Sequence, residues 1–495
     1  MLAGTHPLLS CDEARELEAA LFGGDETKEW RAMQQAGAAI AAAVRRDFEE
    51  IGGIAPRGRV LVLVGKGHNG GDALIAAEQL LAARAELEAD VMFAFGERAL
   101  RPLAQRAWRS LAGGMGARVR VRQANASLEN YELCLDGIFG FQFRPPVDAD
   151  VSALLDRVNG TPIRLRAAVD LPSADRFQAD FTYATGSVKR PIVDNERAGR
   201  IRYLDLGFFA SSERAGAERV LTPEVLAPLR ELRGPRCDKR TYGHLFLVGG
   251  SRSYPGAVLM TAHAALRSGV GLLTVFAPES LVSAFAAQVP EAIWVGWPET
   301  PDGGLALEGL HLLHERIERA SALVVGPGLA REPETLALAQ EIVSTATVAV
   351  LLDADALQAD IVRARKGPLL VTPHAGEFAR IAGPQDLATF AAETGIVTVL
   401  KGPVTKLAHR TATGVEIYYS FFGGPVLARG GSGDVLAGVI GGLLAQQPEQ
   451  PLVAAARGLV WHGRAADLLA RRRGQVAART TELIETLPDA LRLAE

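Results

Sequence analysis

Apolar residues recur along the chain at two spacings, and together they predict alternating helices and strands. Met33, Gly37, Ile40, Val44 and Phe48 fall at helical intervals, which predicts a helix with one buried face. Upstream, Ser10-x-x-Glu13 has the form of a capping box, which opens an earlier helix. Residues 59–64 form a nearly unbroken apolar run that ends at a glycine, as in a strand covered on both faces. Further strands are expected at 91–95, 133–135, 167–169 and 201–204, with helical stretches between them. The second half repeats the pattern, with strands expected at 245–248, 272–276, 323–325, 348–352, 369–371 and 397–400. Residues 435–444 are apolar and spaced by glycines, which predicts a buried helix. Strands separated by helices imply mostly parallel sheets sandwiched between helices. The fold class is therefore α/β.

A break in this pattern divides the chain. Residues 212–235 are rich in charge and punctuated by Pro223, Pro228 and Pro235, so the linker is expected there. With 495 residues the chain exceeds what one core usually serves, and two domains are expected, at 1–215 and 225–495. No short solenoid repeat is present.

Composition narrows the partners. The net charge of -4 gives no reason to expect nucleic acid. Cys11, Cys134 and Cys237 are too few for a disulfide framework and have no zinc-ligand spacing, which points to a reducing compartment. The first ten residues lack the layout of a secretory signal, and the apolar run 435–445 is too short to span a bilayer. A cytoplasmic protein without a membrane partner is the expectation.

Candidate chemistry lies at strand ends. Gly65-Lys-Gly-His-Asn-Gly-Gly-Asp72 follows the first buried strand and precedes a helical stretch, 73–83. Its glycines let backbone N–H groups approach an anion at a helix N-terminus. The same run matches Gly-x-Gly-x-x-Gly, so an ordinary dinucleotide-binding dehydrogenase stays open, as does a ligand-free turn. Asp136 and Asp170 each end a later strand, and in a parallel sheet such ends border the ligand crevice.

Met33-Gln-Gln-Ala-Gly37, Gly67-His-Asn-Gly-Gly-Asp72, Asp136-Gly-Ile-Phe-Gly140 and Val169-Asp-Leu-Pro-Ser173 resemble the successive motifs of the NAD(P)H-hydrate epimerase family. The resemblance covers roughly residues 10 to 210 and implies a Rossmann-like three-layer α/β/α domain. It implies that the hydrated nucleotide is held by His68, Asn69, Gly70, Gly71 and Asp72, and by Gly140, Phe141, Gln142, Phe143, Arg144, Pro145 and Pro146. Asp170 would bind substrate and move a proton, as the hemiaminal carbon requires. A potassium ion would map to Asn69, Asp136 and Ser173. The chain departs from the family at His68, Ala73 and Ala174, which stand where asparagine, glycine and glycine are usual. A non-catalytic nucleotide-sensing or oligomerising module is the alternative for this half.

In the second half Leu427-Ala-Arg-Gly-Gly-Ser-Gly-Asp434 precedes the buried helix. Its backbone N–H groups would form an anion hole, with Asp434 at the mouth to take a hydroxyl proton during phosphoryl transfer. A helix cap after a flexible turn is the simpler explanation. Lys239-Arg-Thr-Tyr-Gly243, the Val248–Ala257 turn, Gly326-Pro-Gly-Leu329, Asp353-Ala-Asp-Ala-Leu357, Thr372-Pro-His-Ala-Gly-Glu377 and Val399-Leu-Lys-Gly-Pro-Val-Thr405 precede it in order. The set is similar to ADP- or ATP-dependent NAD(P)H-hydrate dehydratase, of ribokinase-like fold. That resemblance implies a hydrate pocket of Ala257, Gly328, His374 and Asp434. It places adenine nucleotide contacts at Lys401, Gly402, Pro403, Val404, Thr405 and Gly433. His374 taken alone reads equally well as a hydrogen-bonded turn histidine. The fused family is mostly similar to ADP users, so Mg2+ with ADP is expected, along with the hydrates NADHX and NADPHX as substrates and a homo-oligomeric state. A ribokinase-like small-molecule kinase is the competing activity.

Overall fold

The computed structural model describes residues 2–210 and 216–492. The chain divides into two compact units. One comprises His6–Ala215 with Arg471–Gln475, and the other Met1–Thr5, Gly216–Ala470 and Val476–Glu495. Of the stretch expected as linker, 212–215 lies outside the described residues. The remainder folds with the second unit: strand Glu218–Leu221 runs parallel to strand Gly414–Ser420. Val220 and Leu221 are buried there, so this segment is tied down by its apolar positions despite its charge.

In the first unit seven strands form one parallel sheet in the order Val119–Arg122, Leu87–Phe93, Gly58–Val64, Tyr131–Gly137, Ile163–Val169, Phe181–Thr185 and Arg200–Leu204. The strand sequence reverses direction between Gly58–Val64 and Tyr131–Gly137, which is where ligands bind in open sheets. The capping box at Ser10 and Glu13 is present at the start of helix Cys11–Phe22. The periodic helix spans Glu26–Glu49 and buries Met33, Gly37, Ile40, Val44 and Phe48.

The helix expected at 73–83 begins earlier, at His68, so His68 to Asp72 form its first turn rather than a free loop. Packing accounts for the glycines in that turn. A Cβ on Gly70 would lie 2.5 Å from the Gly65 carbonyl oxygen, and one on Gly71 would lie 2.6 Å from Met33 Sδ. Helix, strand and turn can approach this closely only without side chains.

The second unit has a parallel sheet in the order Ile293–Trp297, Leu272–Pro278, His244–Val248, Ala322–Val325, Ala349–Leu352, Leu369–Val371 and Val397–Leu400. An antiparallel hairpin, Thr405–Thr411 with Gly414–Ser420, continues it. Here the order reverses between His244–Val248 and Ala322–Val325. Helix Ser432–Gln446 is buried from Val435 to Ala445. No helix among the described residues is long and apolar enough to cross a membrane.

Candidate active sites

In the first unit a cavity of about 360 Å³ opens where the strand order reverses. His68, Asn69, Asp72, Gly140, Phe141, Gln142, Phe143 and Asp170 all line it. Gly70 and Gly71 do not line it and pack closely against Gly65 and Met33, while Arg144 and Pro145 line a neighbouring cavity that shares Phe139 to Phe141 and Phe143. Pro146 lines neither of the two.

Asp170 sits just past strand Ile163–Val169 with φ of 68°, a left-handed conformation unusual for a non-glycine residue. Backbone held in this region costs energy that the surrounding structure must cover, and such residues cluster at active sites. Its Oδ1 accepts from Lys189 Nζ at 2.5 Å, and both side chains are almost wholly buried. Lys189 also donates to the Thr185 carbonyl at 3.1 Å and lies 5.1 Å from the Phe141 ring centre. The Asp170 carboxyl is raised by burial, which Lys189 and hydrogen bonds from Thr185 and Phe141 only partly offset. Asp72 is also driven well above the usual range, by burial first and then by Asp170 and Glu18.

Asn69, Asp136 and Ser173 are brought into one hydrogen-bonded cluster. Asn69 Nδ2 donates to the carbonyls of Val169 and Phe139, at 2.8 and 3.2 Å. Asp136 accepts from Ser173 N, Ser173 Oγ and Ile138 N, and Phe139 N donates to Ser173 Oγ. Asp136 is fully buried, and desolvation raises its pKa to about 6 against those hydrogen bonds. A buried carboxylate among carbonyl and hydroxyl oxygens, with no cationic side chain on it, is a donor set that fits a hard monovalent cation.

In the second unit the glycine turn and the later strand ends meet. A Cβ on Gly433 would lie 3.3 Å from Lys401 Nζ and 3.8 Å from Asp353 Oδ2. Lys401 Nζ pairs with Asp353 Oδ1 at 2.9 Å and lies 3.9 Å from Glu377 Oε2. Asp353 also accepts from Thr372 Oγ1 at 2.7 Å. The Asp434 carboxyl is raised to about 7, by burial and then by Asp353, with Lys401 opposing. That value lies near the working pH, where a general base is most useful.

His374 caps helix Ala375–Ala382. Its Nδ1 accepts from Gly376 N at 3.0 Å and Glu377 N at 3.3 Å, which leaves Nε2 outward, 3.4 Å from Glu377 Oε1. The local role that the turn chemistry implied is therefore present, and it also sets one ring edge beside the cluster, since His374 and Lys401 form a backbone bridge. Gly328 has φ of 67°, and a Cβ there would lie 2.9 Å from that of Ala257, so these two meet at the other switch-point strands. Gly402 to Val404 form the turn before strand Thr405–Thr411. His462 is buried, its Nε2 is 3.1 Å from the Ser432 carbonyl at the start of the glycine helix, and burial lowers its pKa to about 4.

Sequence reasoning missed Lys189, Glu18, Asp353, Glu377 and His462 as site residues. Asp353 and Glu377 stood within quoted motifs, and Lys189 carried no local signal.

Residues 30–189 match the family described as YjeF-related protein N-terminus, and 245–489 match NAD(P)H-hydrate dehydratase. The bifunctional NAD(P)H-hydrate repair enzyme Nnr of Moorella thermoacetica is 34% identical, over 94% of this chain and 92% of its own. The chain belongs to the bifunctional NAD(P)H-hydrate repair enzyme family. The relative from Gloeobacter violaceus is 35% identical over 94% of each chain, and the one from Escherichia coli 31% over 86% of this chain and 84% of its own. Among solved structures, an ADP/ATP-dependent NAD(P)H-hydrate dehydratase from Bacillus subtilis, co-crystallised with ATP and Mg2+, is 31% identical with a TM-score of 0.46, over 55% of this chain and 96% of its own. A ribokinase-like superfamily protein from Enterococcus faecalis is 27% identical with a TM-score of 0.49, over 57% of this chain and 98% of its own. This repair enzyme therefore carries an N-terminal epimerase domain of Rossmann-like α/β/α form and a C-terminal dehydratase domain built on a second, mostly parallel α/β sheet.

Proposed function

We propose that the C-terminal unit dehydrates S-NADHX and S-NADPHX at the expense of ADP, giving AMP and phosphate, and that the N-terminal unit interconverts the R and S hydrates. The observation that carries the dehydratase reading is Asp434, a carboxyl with pKa near 7, next to Gly433 at a helix start and facing the Lys401 and Asp353 pair. Asp434 takes the proton of the C6 hydroxyl, and that oxygen attacks the terminal phosphorus of ADP as AMP departs. Phosphate then leaves C6 with its electron pair, C5 loses a proton, and the dihydropyridine is restored. Hydroxide, a poor leaving group, has been exchanged for a good one.

Backbone N–H groups of the turn at 430–433 hold the transferring phosphoryl group, and the turn from Lys401 to Thr405 holds the nucleotide. Ala257, Gly328 and His374 shape the hydrate pocket. Mg2+ would be carried on the diphosphate of ADP, since this ion is usually bound through substrate phosphates. When bound, it offsets phosphate charge.

In the epimerase cavity, residues 68–72 and 140–146 hold the hydrate and Asp170 moves the proton. Potassium would be held by Asn69, Asp136 and Ser173 and would offset the buried carboxylate charge. The domain bounds 1–215 and 225–495, a homo-oligomeric state and a cytoplasmic location belong to the same reading.

The test is dehydration of each pure epimer with ADP or ATP, followed by the return of NADH absorbance. Fast recovery from the S form with ADP is expected, and recovery from the R form only as fast as epimerisation allows. Asp434→Asn should lower turnover by at least about 100-fold while ADP binding measured by calorimetry is kept. Retained turnover rejects Asp434 as the base, and a stable phosphoester in place of NADH turns the reading to a kinase.

A further inference from the structure

The epimerase cavity holds a second carboxyl that binding alone does not account for. Asp72 lies in the first turn of helix His68–Ala83, is 8% exposed, and lines the cavity with Asp170. Its Oδ1 is buried without a hydrogen-bond partner, as is Oδ2 of Asp170. Both side chains line one cavity, and each carries a buried carboxyl oxygen that no protein group satisfies, which is costly for an ionised carboxylate.

Charge balance separates their roles. Lys189 is the cation that acts on both carboxyls, and its ammonium is committed to Asp170 Oδ1. Glu18 adds a further carboxyl facing Asp72, and Glu29, His68, Lys66 and Arg101 complete the charged lining. One ammonium cannot neutralise two buried carboxylates, so one of them keeps its proton. Asp170 has the ammonium and amide hydrogen bonds that favour its ionised form over that of Asp72, whose carboxyl has no such hydrogen bond.

We propose that Asp72 is the proton donor of the epimerase cavity and works opposite Asp170 as the base. This rests on the reading that the cavity binds the hydrate. Asp170 takes the proton from the C6 hydroxyl, and the O–H electron pair forms C6=O. The N1–C6 bond breaks, its electron pair goes to the ring nitrogen, and that nitrogen takes the proton from Asp72. Rotation about C5–C6 presents the other face of the aldehyde. Closure then returns the N1 proton to Asp72, and Asp170 returns its proton to oxygen. Each carboxyl ends as it began, and no oxidant or further reactant enters.

Asp72→Asn tests this in the full chain, because it keeps the size and neutral N–H donor of a protonated acid but removes the transferable proton. Epimerisation of pure R-NADHX by Asp72→Asn should fall by about 100-fold or more, the range of general acid catalysis, with KM little changed. Dehydration of S-NADHX by the same preparation should match the parent. An infrared difference spectrum, parent minus Asp72→Asn at neutral pH, should show the carbonyl band of a protonated carboxylic acid and reads the proton without turnover. Epimerisation within threefold of the parent, or no such band, overturns the assignment. If Asp170→Asn keeps full activity, it is the Asp170 reading that fails. A parent chain that does not epimerise R-NADHX sinks both.

Discussion

The acid limb of the dehydratase pH profile should be set by the acidic neighbours of Asp434, and Asp353→Asn tests this directly. Asp353 is the charge that does most to raise the Asp434 carboxyl, and Lys401 is the cation lowering it. Asp353 Oδ2 lies 3.8 Å from the Cβ position of Gly433, the residue next to Asp434, so the two carboxyl groups belong to one charged cluster. At an effective dielectric constant of about 20, like charges at about 6 Å repel by about 3 kcal/mol, equivalent to about two pKa units. Partial solvent access to Asp434 reduces this to about one unit. Asparagine keeps an acceptor for Thr372 Oγ1 and leaves Lys401 paired with Glu377. The general base must be ionised, so activity is lost as pH falls through its pKa. The parent limb is expected near pH 7 and the Asp353→Asn limb about one unit lower. The assay is kcat/KM for S-NADHX at saturating ADP from about pH 5 to 8.5, read by NADH absorbance. The difference between the two limbs, both read at saturating ADP, is the measured quantity. A limb that stays put, or moves to higher pH, refutes the electrostatic account of Asp434.

Gly140→Ala should cripple only epimerisation. A Cβ there falls 2.4 Å from Asn69 Oδ1, so the amide must leave the Phe139 and Val169 carbonyls. A displacement of this size lowers epimerase kcat/KM by about 100-fold, and S-NADHX dehydration in the same preparation is the control. His462 supplies a pH-dependent stability. Its folded pKa of about 4 lies below its usual 6.5, so its contribution is full above pH 6.5 and is lost as pH falls toward 4. The loss amounts to about 3 kcal/mol, and His462→Gln should flatten the fall in melting temperature between pH 7 and 4. An unchanged slope would show that His462 is not the titrating group.

Local spacing carried much of the fold. The nearly unbroken apolar run at 59–64 and the apolar run at 369–371 are strands within a residue of their expected bounds, since a strand buried on both faces needs little but its own side chains. The charged segment containing strand Glu218–Leu221 was legible only as linker, because its partner, Gly414–Ser420, lies about two hundred residues away. Helix His68–Ala83 begins five residues before its apolar pattern, since tight packing against Gly65 and Met33 overrides the low helix propensity of Gly70 and Gly71.

The order of glycine turns and strand-end carboxyls along the chain was enough to mark two α/β domains and the chemistry each houses, because such turns act through their own backbone. Which side chains share a charge was decided only in three dimensions. Lys189 reaches Asp170, and Lys401 reaches Asp353 beside Gly433, because parallel strands bring distant segments to one sheet edge. Protonation follows from those pairings and from burial, and neither is a property of any one stretch of sequence.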